Sequence, residues 1–219
     1  MPKYFKLYLV WAIIVILLVF IKGMFSTDNI THFLILAYLG LSLFFVNKNI
    51  DQPNAKKKFI VLSMVSAAVV EGFYMIQMPV FASLKFVAGM SLGTMLGNYA
   101  IDLIFTLPAY YFIFRTVWYL INKYQYNVWQ YAILIALGQG LGDGSRAFLG
   151  NPGLLIFIPY VLINYQAMSV VPFLRIKHTL PQTLSNSAFK YLAPIVLLPL
   201  VYILCGLVIY TTASFFHLK

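Results

Sequence analysis

Charged residues, and acidic residues above all, are scarce in this chain. Only 9% of its 219 residues are charged, and five Asp and Glu stand against 15 Lys and Arg. Soluble domains carry about 25% charged residues. A chain that is 62% apolar cannot hide so much apolar surface in a water-soluble fold of this size. The composition therefore argues against a soluble domain and predicts a protein whose solvent is lipid.

Cysteine and histidine are also rare. The single cysteine, Cys205, allows no intrachain disulfide and no cysteine metal site. The histidines lie near the ends of apolar runs without ligand spacing, at His32, His178 and His217. The glycine-dense run 138–144 lies inside an apolar run rather than after a strand, so it is not a phosphate loop. We therefore expect no metal and no cofactor.

Long apolar runs are abundant. A bilayer core of about 30 Å requires roughly 20 apolar residues per helix, and seven runs qualify: about 7–22, 30–46, 59–80, 95–121, 129–149, 153–174 and 190–215. The first run resembles a signal peptide, but no small-x-small cleavage pattern follows Lys22, so we expect it to be retained. The predicted fold is an all-α, polytopic transmembrane bundle of about seven helices, with residues 1–219 forming a single integral membrane domain.

The basic residues lie between the apolar runs, so they indicate topology rather than nucleic-acid binding. With the N-terminus in the cytoplasm, 11 of the 15 Lys and Arg fall on the cytoplasmic side. We expect a multi-pass protein of a bacterial inner membrane or the endoplasmic reticulum, with the bilayer and a hydrophobic small molecule as partners. A homodimer stays open. Prolines inside the runs favour kinked helices around a cavity: Pro108, Pro159, Pro172, Pro194 and Pro199.

Three of the five acidic residues, Glu71, Asp102 and Asp143, lie inside apolar runs. A charge near the membrane centre costs several kcal/mol, and such residues usually face the bundle interior. The structural alternative is a protonated carboxyl that bridges two helices. Counting along the runs places these acids and Asn164 between mid-membrane and the non-cytoplasmic face. We therefore expect them to converge on one pocket.

A carboxyl in an apolar cavity resists ionisation, so it can act as a general acid toward an alkene or epoxide. A second carboxylate could stabilise a carbocation or take the proton back. Gln139 lies one turn before Asp143, and Arg146 follows it at a spacing that allows an ion pair. Aromatic faces could stabilise a cation, although packing explains most of the 19 Phe and 16 Tyr; the candidates are Tyr74, Tyr99, Phe105, Tyr160 and Tyr165.

Four short motifs, in order within residues 59–178, resemble the EXPERA-domain family, which includes a sterol isomerase and the sigma-2 receptor. They are Val70-Glu71-Gly72-Phe73, Asp102-Leu103-Ile104-Phe105-Thr106-Leu107-Pro108, Gly138-Gln139-Gly140-Leu141-Gly142-Asp143, and Pro159-Tyr160 followed by Asn164. The resemblance implies a four-helix unit with a hydrophobic, membrane-accessible cavity, here with two helices before it and one after. In its seven predicted helices and paired carboxylates, the chain also has a weaker, architectural likeness to membrane-bound terpene cyclases.

The resemblance implies that Glu71 and Asp102 are paired cavity acids and that Asn164 helps to stabilise a cationic intermediate. The chain departs from the isomerases at three places. Ala67 stands where they have a His, no Trp follows Asn164, and the second acid is Asp rather than Glu.

The favoured hypothesis is an enzyme that isomerises or cyclises an isoprenoid, meroterpenoid or sterol-like lipid by protonating it. Glu71 would donate the proton, Asp102 would stabilise charge or act as base, and Asn164 would orient the substrate. Gln139, Asp143 and the aromatic candidates would bind it. The alternative is a non-catalytic binder of sterols, lipids or cationic amphiphiles, which the missing His and Trp favour. A transporter is a third hypothesis, against which the lack of an inverted repeat argues.

Overall fold

The computed structural model describes residues 3–23, 25–46, 54–181 and 185–215, and this part of the chain is all-helical. Its α-helices are α1 (Lys3–Lys22), α2 (Thr27–Phe44), α3 (Ala55–Tyr74), α4 (Leu92–Lys123), α5 (Val128–Asp143), α6 (Ser145–Gly150), α7 (Ile158–Ile176) and α8 (Phe189–Phe215). Short 3₁₀ helices occupy Ala82–Leu84, Pro152–Phe157 and Lys177–Thr179. The predicted all-α class is confirmed for the described residues.

In the part of the chain that the structure describes, four helical segments are long and apolar enough to cross a membrane: Lys3–Lys22, Leu92–Lys123, Pro152–Thr179 and Phe189–Phe215. The structure is thus compatible with a multi-pass membrane protein. The count of seven spans and the cytoplasmic N-terminus stay predictions.

Two predicted apolar runs are interrupted. The run 59–80 stops being helical after Tyr74, since Pro79 has no amide proton to donate to the Met75 carbonyl. Residues 75–91, the connecting segment, follow without an α-helix, and the Phe86 amide donates to the Met75 carbonyl at 2.7 Å. The run 129–149 breaks at Gly144, between α5 and α6, where glycines recur and weaken the helix. Asp143 is therefore the last residue of α5.

The helix ends that carry most of the lysines meet at one end of the bundle, called here the basic end. Phe5 of α1 stacks on Trp129 of α5, with ring centroids 3.9 Å apart. The Tyr126 hydroxyl, just before α5, donates to the Lys190 carbonyl of α8 at 2.9 Å. Alternating membrane spans would give this grouping.

Helices α5 and α8 approach closely through two glycines. A Cβ atom at Gly138 would lie 2.4 Å from the Pro194 carbonyl oxygen, and one at Gly142 would lie 2.6 Å from Cβ of Tyr202. Small residues allow such backbone approaches between membrane helices. Both prolines of α8, Pro194 and Pro199, lie against this seam.

We expect Gly142→Ala to destabilise the protein by about 1–3 kcal/mol, because the added methyl group overpacks the seam. Thermal unfolding in detergent measures the effect. Gly206→Ala is the matched control on α8, since its Cβ would meet nothing within 4 Å. That change should leave stability the same or raise it by up to about 1 kcal/mol through helix propensity. Equal effects of the two substitutions would contradict a tight seam.

Candidate functional site

A group of carboxyl, amide and phenol side chains lies inside the bundle and draws on five helices. Its members interact through hydrogen bonds and electrostatic contacts, and we call it the carboxyl–tyrosine cluster. It consists of Glu71 and Tyr74 of α3, Tyr110 of α4, Asp143 of α5, Asn164 and Tyr165 of α7, and Tyr202 of α8.

Glu71 is half-buried on α3, and one of its carboxyl oxygens is fixed. The hydroxyl of Tyr110, itself only 8% exposed, donates to Glu71 Oε1. Among the described residues, none hydrogen-bonds Oε2. One oxygen is therefore held by the protein while the other is left for a proton or a ligand.

Asp143 repeats this arrangement from the end of α5. The Tyr165 hydroxyl donates to Asp143 Oδ2 at 2.6 Å. Among the described residues Asp143 pairs with this phenol and not with Arg146, although the spacing allows an ion pair. The Asp143 side chain is largely accessible, so its carboxyl can meet a ligand or water. Glu71 and Asp143 both lie within electrostatic range of Tyr74 and Tyr202.

Asn164 joins α7 to the end of α3. Its amide nitrogen donates to the Tyr74 hydroxyl oxygen, which leaves the Tyr74 proton free to point elsewhere in the cluster. The Asn164 carbonyl oxygen is buried and has no hydrogen-bond partner among the described residues. A buried acceptor without a partner costs about 1–3 kcal/mol. Such a group in a native structure needs an explanation, and a polar ligand atom is one.

Gln139 supports the cluster from α5. Its side chain is fully buried, and its Oε1 accepts a hydrogen bond of 3.3 Å from the Tyr202 hydroxyl. The ring of Tyr202 meets that of Tyr165 edge-on, with centroids 6.1 Å apart. The sequence did not single out Tyr110 and Tyr202. The available signal was their place deep inside apolar runs, since tyrosines of membrane helices usually lie at the interfaces.

Asp102 has a different environment from the other two acids. It is fully buried on α4, and its Oδ1 accepts a hydrogen bond of 2.8 Å from the Val80 amide of the connecting segment. Its Oδ2 is buried, and no described residue hydrogen-bonds it. Asp102 and Asp143 both lie within electrostatic range of Glu71. Asp143 accepts a hydrogen bond from a phenol, as Glu71 does, whereas Asp102 accepts one from a backbone amide.

Three of the predicted aromatic residues surround the cluster rather than join its hydrogen bonds. The Tyr99 hydroxyl donates to the Ala68 carbonyl at 2.5 Å. Phe105 packs against Phe81 of the connecting segment, with ring centroids 4.9 Å apart. The Tyr160 hydroxyl donates to Oδ1 of Asn29, in the first turn of α2, at 2.7 Å. The other two predicted aromatic residues, Tyr74 and Tyr165, belong to the cluster.

The anchoring role of Asp102 is testable by stability. Asp102→Ala removes the acceptor for the Val80 amide, and we expect a loss of about 1–3 kcal/mol. Asp102→Asn retains an amide oxygen at that position and should cost less. Denaturation of both variants in detergent gives the comparison. An alanine variant as stable as the wild type would show that the anchor is unimportant.

Within the described part of the chain, no three His, Cys, Asp or Glu side chains come together as metal ligands would. Comparison of the sequence and structure with protein-family models, curated proteins and solved structures gives no match. The EXPERA and terpene-cyclase resemblances therefore stay predictions, and function has to be inferred from the chain's own residues.

Proposed function

We propose that the protein is an intramembrane acid–base enzyme that protonates an isoprenoid, meroterpenoid or sterol-like lipid and so starts its isomerisation or cyclisation. One observation carries the proposal. Two carboxyls, Glu71 and Asp143, each held by one tyrosine, lie within electrostatic range of the same phenols inside an apolar bundle. Paired carboxyls in a water-poor site suit proton transfer to and from carbon.

Glu71 is the proposed proton donor. Because Tyr110 already bonds Oε1, the protonated carboxyl would carry its hydrogen on Oε2 and present it to the substrate. Addition of that proton to one carbon of an alkene leaves a cation on the other carbon. The donor becomes a carboxylate next to that cation and stabilises it.

Asp143 is the proposed second carboxyl. Two interacting carboxyls share their protons, so one can be ionised while the other is protonated. The ionised Asp143 would attract the cation and then accept a proton from a neighbouring carbon, which restores a double bond. The proton count balances once Asp143 returns a proton to Glu71, and the tyrosines between them offer hydroxyl groups for that transfer. Asp102 remains the alternative base, because it also lies within electrostatic range of Glu71.

The remaining members of the cluster would protect the cation. Aromatic faces stabilise cations by about 0.5–2 kcal/mol each, and the rings of Tyr165 and Tyr202 meet edge-on in the cluster. Asn164 would fix the Tyr74 phenol and offer its unpartnered carbonyl oxygen to the charge.

A non-catalytic binder is the second candidate. Two carboxyls in an apolar enclosure would also hold the ammonium group of a cationic amphiphile. The fully buried Ala67, on the turn of α3 before Glu71, adds no titratable group that could help in proton transfer. This candidate requires saturable binding without any product.

Incubation in heavy water tests the proposal. Membranes that contain the protein receive two substrate panels, one of sterols with a movable ring double bond and one of plain or epoxidised prenyl-quinones and prenyl-indoles. Mass spectrometry then measures deuterium uptake and skeletal change. We expect a deuterated product from one panel, and the panel that responds separates an isomerase from a cyclase. Saturable binding of cationic amphiphiles with no product from either panel would support the binder instead.

A further inference from the structure

An apolar groove, called here the α4–α8 groove, runs along the outside of the bundle between α4 and α8 and encloses about 920 Å³. Several residues that line it are largely exposed, such as Ile104, Phe112 and Val208, so the groove opens on the surface that would face lipid. Its floor is closed where the Cys205 thiol approaches the Ala109 carbonyl oxygen, at 4.0 Å. No member of the carboxyl–tyrosine cluster lines it. An occupant would therefore come from the surrounding membrane and would not meet the acids.

The length of the groove equals that of one bilayer leaflet. Its lining runs from Ile104 to Tyr119 on α4, which is about 22 Å at 1.5 Å per residue. A bilayer with its head groups is about 40–45 Å thick, so one leaflet measures about 20–22 Å. A phospholipid that lies along α4 would fill the groove from its head group to the end of its acyl chain.

Arg115 divides the groove as the phosphate divides a phospholipid. Along α4 it lies about 16 Å from Ile104 and about 6 Å from Tyr119. Half of the hydrocarbon core of a bilayer is about 15 Å, and the head-group region on one side is about 5–7 Å. The lining between Ile104 and Arg115 would therefore lie beside the acyl chain, and the lining between Arg115 and Tyr119 would lie beside the head group.

The length of α4 places Arg115 near the edge of the hydrocarbon core. The helix has 32 residues, or about 48 Å, and is thus about 18 Å longer than the core. With equal overhang at its two ends, about 9 Å of α4 would lie outside the core at the basic end. Arg115 is about 12 Å from that end, at Lys123. Its guanidinium group reaches the phosphate level by extending toward the basic end, as long cationic side chains do.

The mouth of the groove at the basic end is cationic. Arg115 is exposed, and no described residue forms a hydrogen bond or ion pair with its guanidinium group. The Lys123 ammonium donates to the Tyr119 hydroxyl at 3.0 Å, which places a second cation at the mouth. None of the described residues that line the groove is acidic. Guanidinium groups bind phosphates through paired hydrogen bonds, and cations beside the membrane surface attract anionic lipids.

We propose that the α4–α8 groove binds an anionic phospholipid of the leaflet at the basic end, with its phosphate on Arg115 and an acyl chain between the two helices. The groove ends near the midplane, where an acyl chain ends and a long polyprenyl chain would continue. A sterol would offer its hydroxyl group to two cations and leave their charges unpaired. The site goes beyond the acid–base function and does not rest on it.

The probe is palmitoyl-oleoyl phosphatidylglycerol, added to the purified full-length protein in a neutral detergent, with native mass spectrometry to measure the bound lipid. We expect Arg115→Gln to weaken binding about tenfold or more, as the loss of a charged hydrogen-bond partner would. Lys177→Gln, which removes an exposed cation of the same end outside the groove lining, is the control and should bind like the wild type. Unchanged binding by Arg115→Gln would overturn Arg115 as the phosphate ligand.

Two tryptophan substitutions locate the acyl chain. Val208→Trp fills the groove and should abolish binding, whereas Leu207→Trp, exposed on the same helix outside the lining, should not. Equal binding by both variants would overturn the groove as the site. Glu71→Gln should bind the probe like the wild type, because Glu71 does not line the groove. Loss of binding in that variant would place the lipid in the cluster instead.

Three other lipids test the occupant. Phosphatidylcholine has the same phosphate and acyl chains but a neutral head group, and it should bind about tenfold more weakly than phosphatidylglycerol. A long-chain polyprenyl phosphate and cholesterol should each displace phosphatidylglycerol poorly at equal concentration. Equal binding of phosphatidylcholine would remove the anionic selectivity. Full displacement by the polyprenyl phosphate or by cholesterol would overturn the phospholipid in favour of that compound.

Discussion

Glu71→Gln is expected to reduce deuterium incorporation into product by about 100-fold or more, the lower end of what a general acid contributes. Glutamine keeps the length of the side chain and an oxygen that can accept from Tyr110. It has no acidic proton to add to an alkene. The variant should therefore fold and bind ligand like the wild type while it fails in the protonation step.

The control for this substitution is Asp28→Asn, which changes an exposed acid in the first turn of α2. It should leave turnover unchanged. Ligand binding and thermal unfolding of Glu71→Gln must be measured together with turnover, so that misfolding is not taken for lost chemistry. Full activity in a folded Glu71→Gln variant would remove Glu71 from the role of acid.

Asp143→Asn is expected to reduce turnover by a similar factor and to change the products. The amide would still accept a hydrogen bond from Tyr165, but it could neither neutralise a cation nor take up a proton. Cations that are formed would then be lost to water, so that alcohols accumulate in place of alkenes. Chromatography of the products, with the rate of substrate loss, measures both effects.

Asp102→Asn is the matched comparison, because it makes the same change in the other aspartate within electrostatic range of Glu71. If Asp143 is the second carboxyl, Asp102→Asn should alter turnover by only a few-fold, as expected for an anchor of the connecting segment. The opposite ranking, with Asp102→Asn inactive and Asp143→Asn active, would restore the pairing of Glu71 with Asp102 that the family resemblance implies.

The all-helical class could be predicted because the apolar runs are long and the composition indicates lipid as the solvent. The residues at which two of the helices end could not be predicted. Hydropathy continues through Met75–Val80 and through Gly144, whereas the helix depends on local backbone preferences at Pro79 and the recurrent glycines. Hydropathy reports which solvent a segment prefers, and it does not report where its backbone turns.

The sequence singled out Glu71, Asp143 and Asn164 because polar groups in apolar runs are rare, and in the structure each of them hydrogen-bonds a tyrosine. Their role as a site stays a prediction. Which aspartate, Asp102 or Asp143, pairs with Glu71 depends on how each helix is rotated about its own axis. The spacing of residues in one sequence does not determine that rotation. Tyr110 and Tyr202 were missed because the chain has 16 tyrosines, so residue type alone does not distinguish these two from the others.

Helix α8 takes part in three structures at once. One side packs on the α5 glycines, Tyr202 enters the cluster, and Cys205 and Val208 line the apolar groove of about 920 Å³ between α4 and α8. Since α8 is a single helix from Phe189 to Phe215, a tilt that widens the groove also moves the Tyr202 phenol. Filling the groove would then adjust the geometry around the acids.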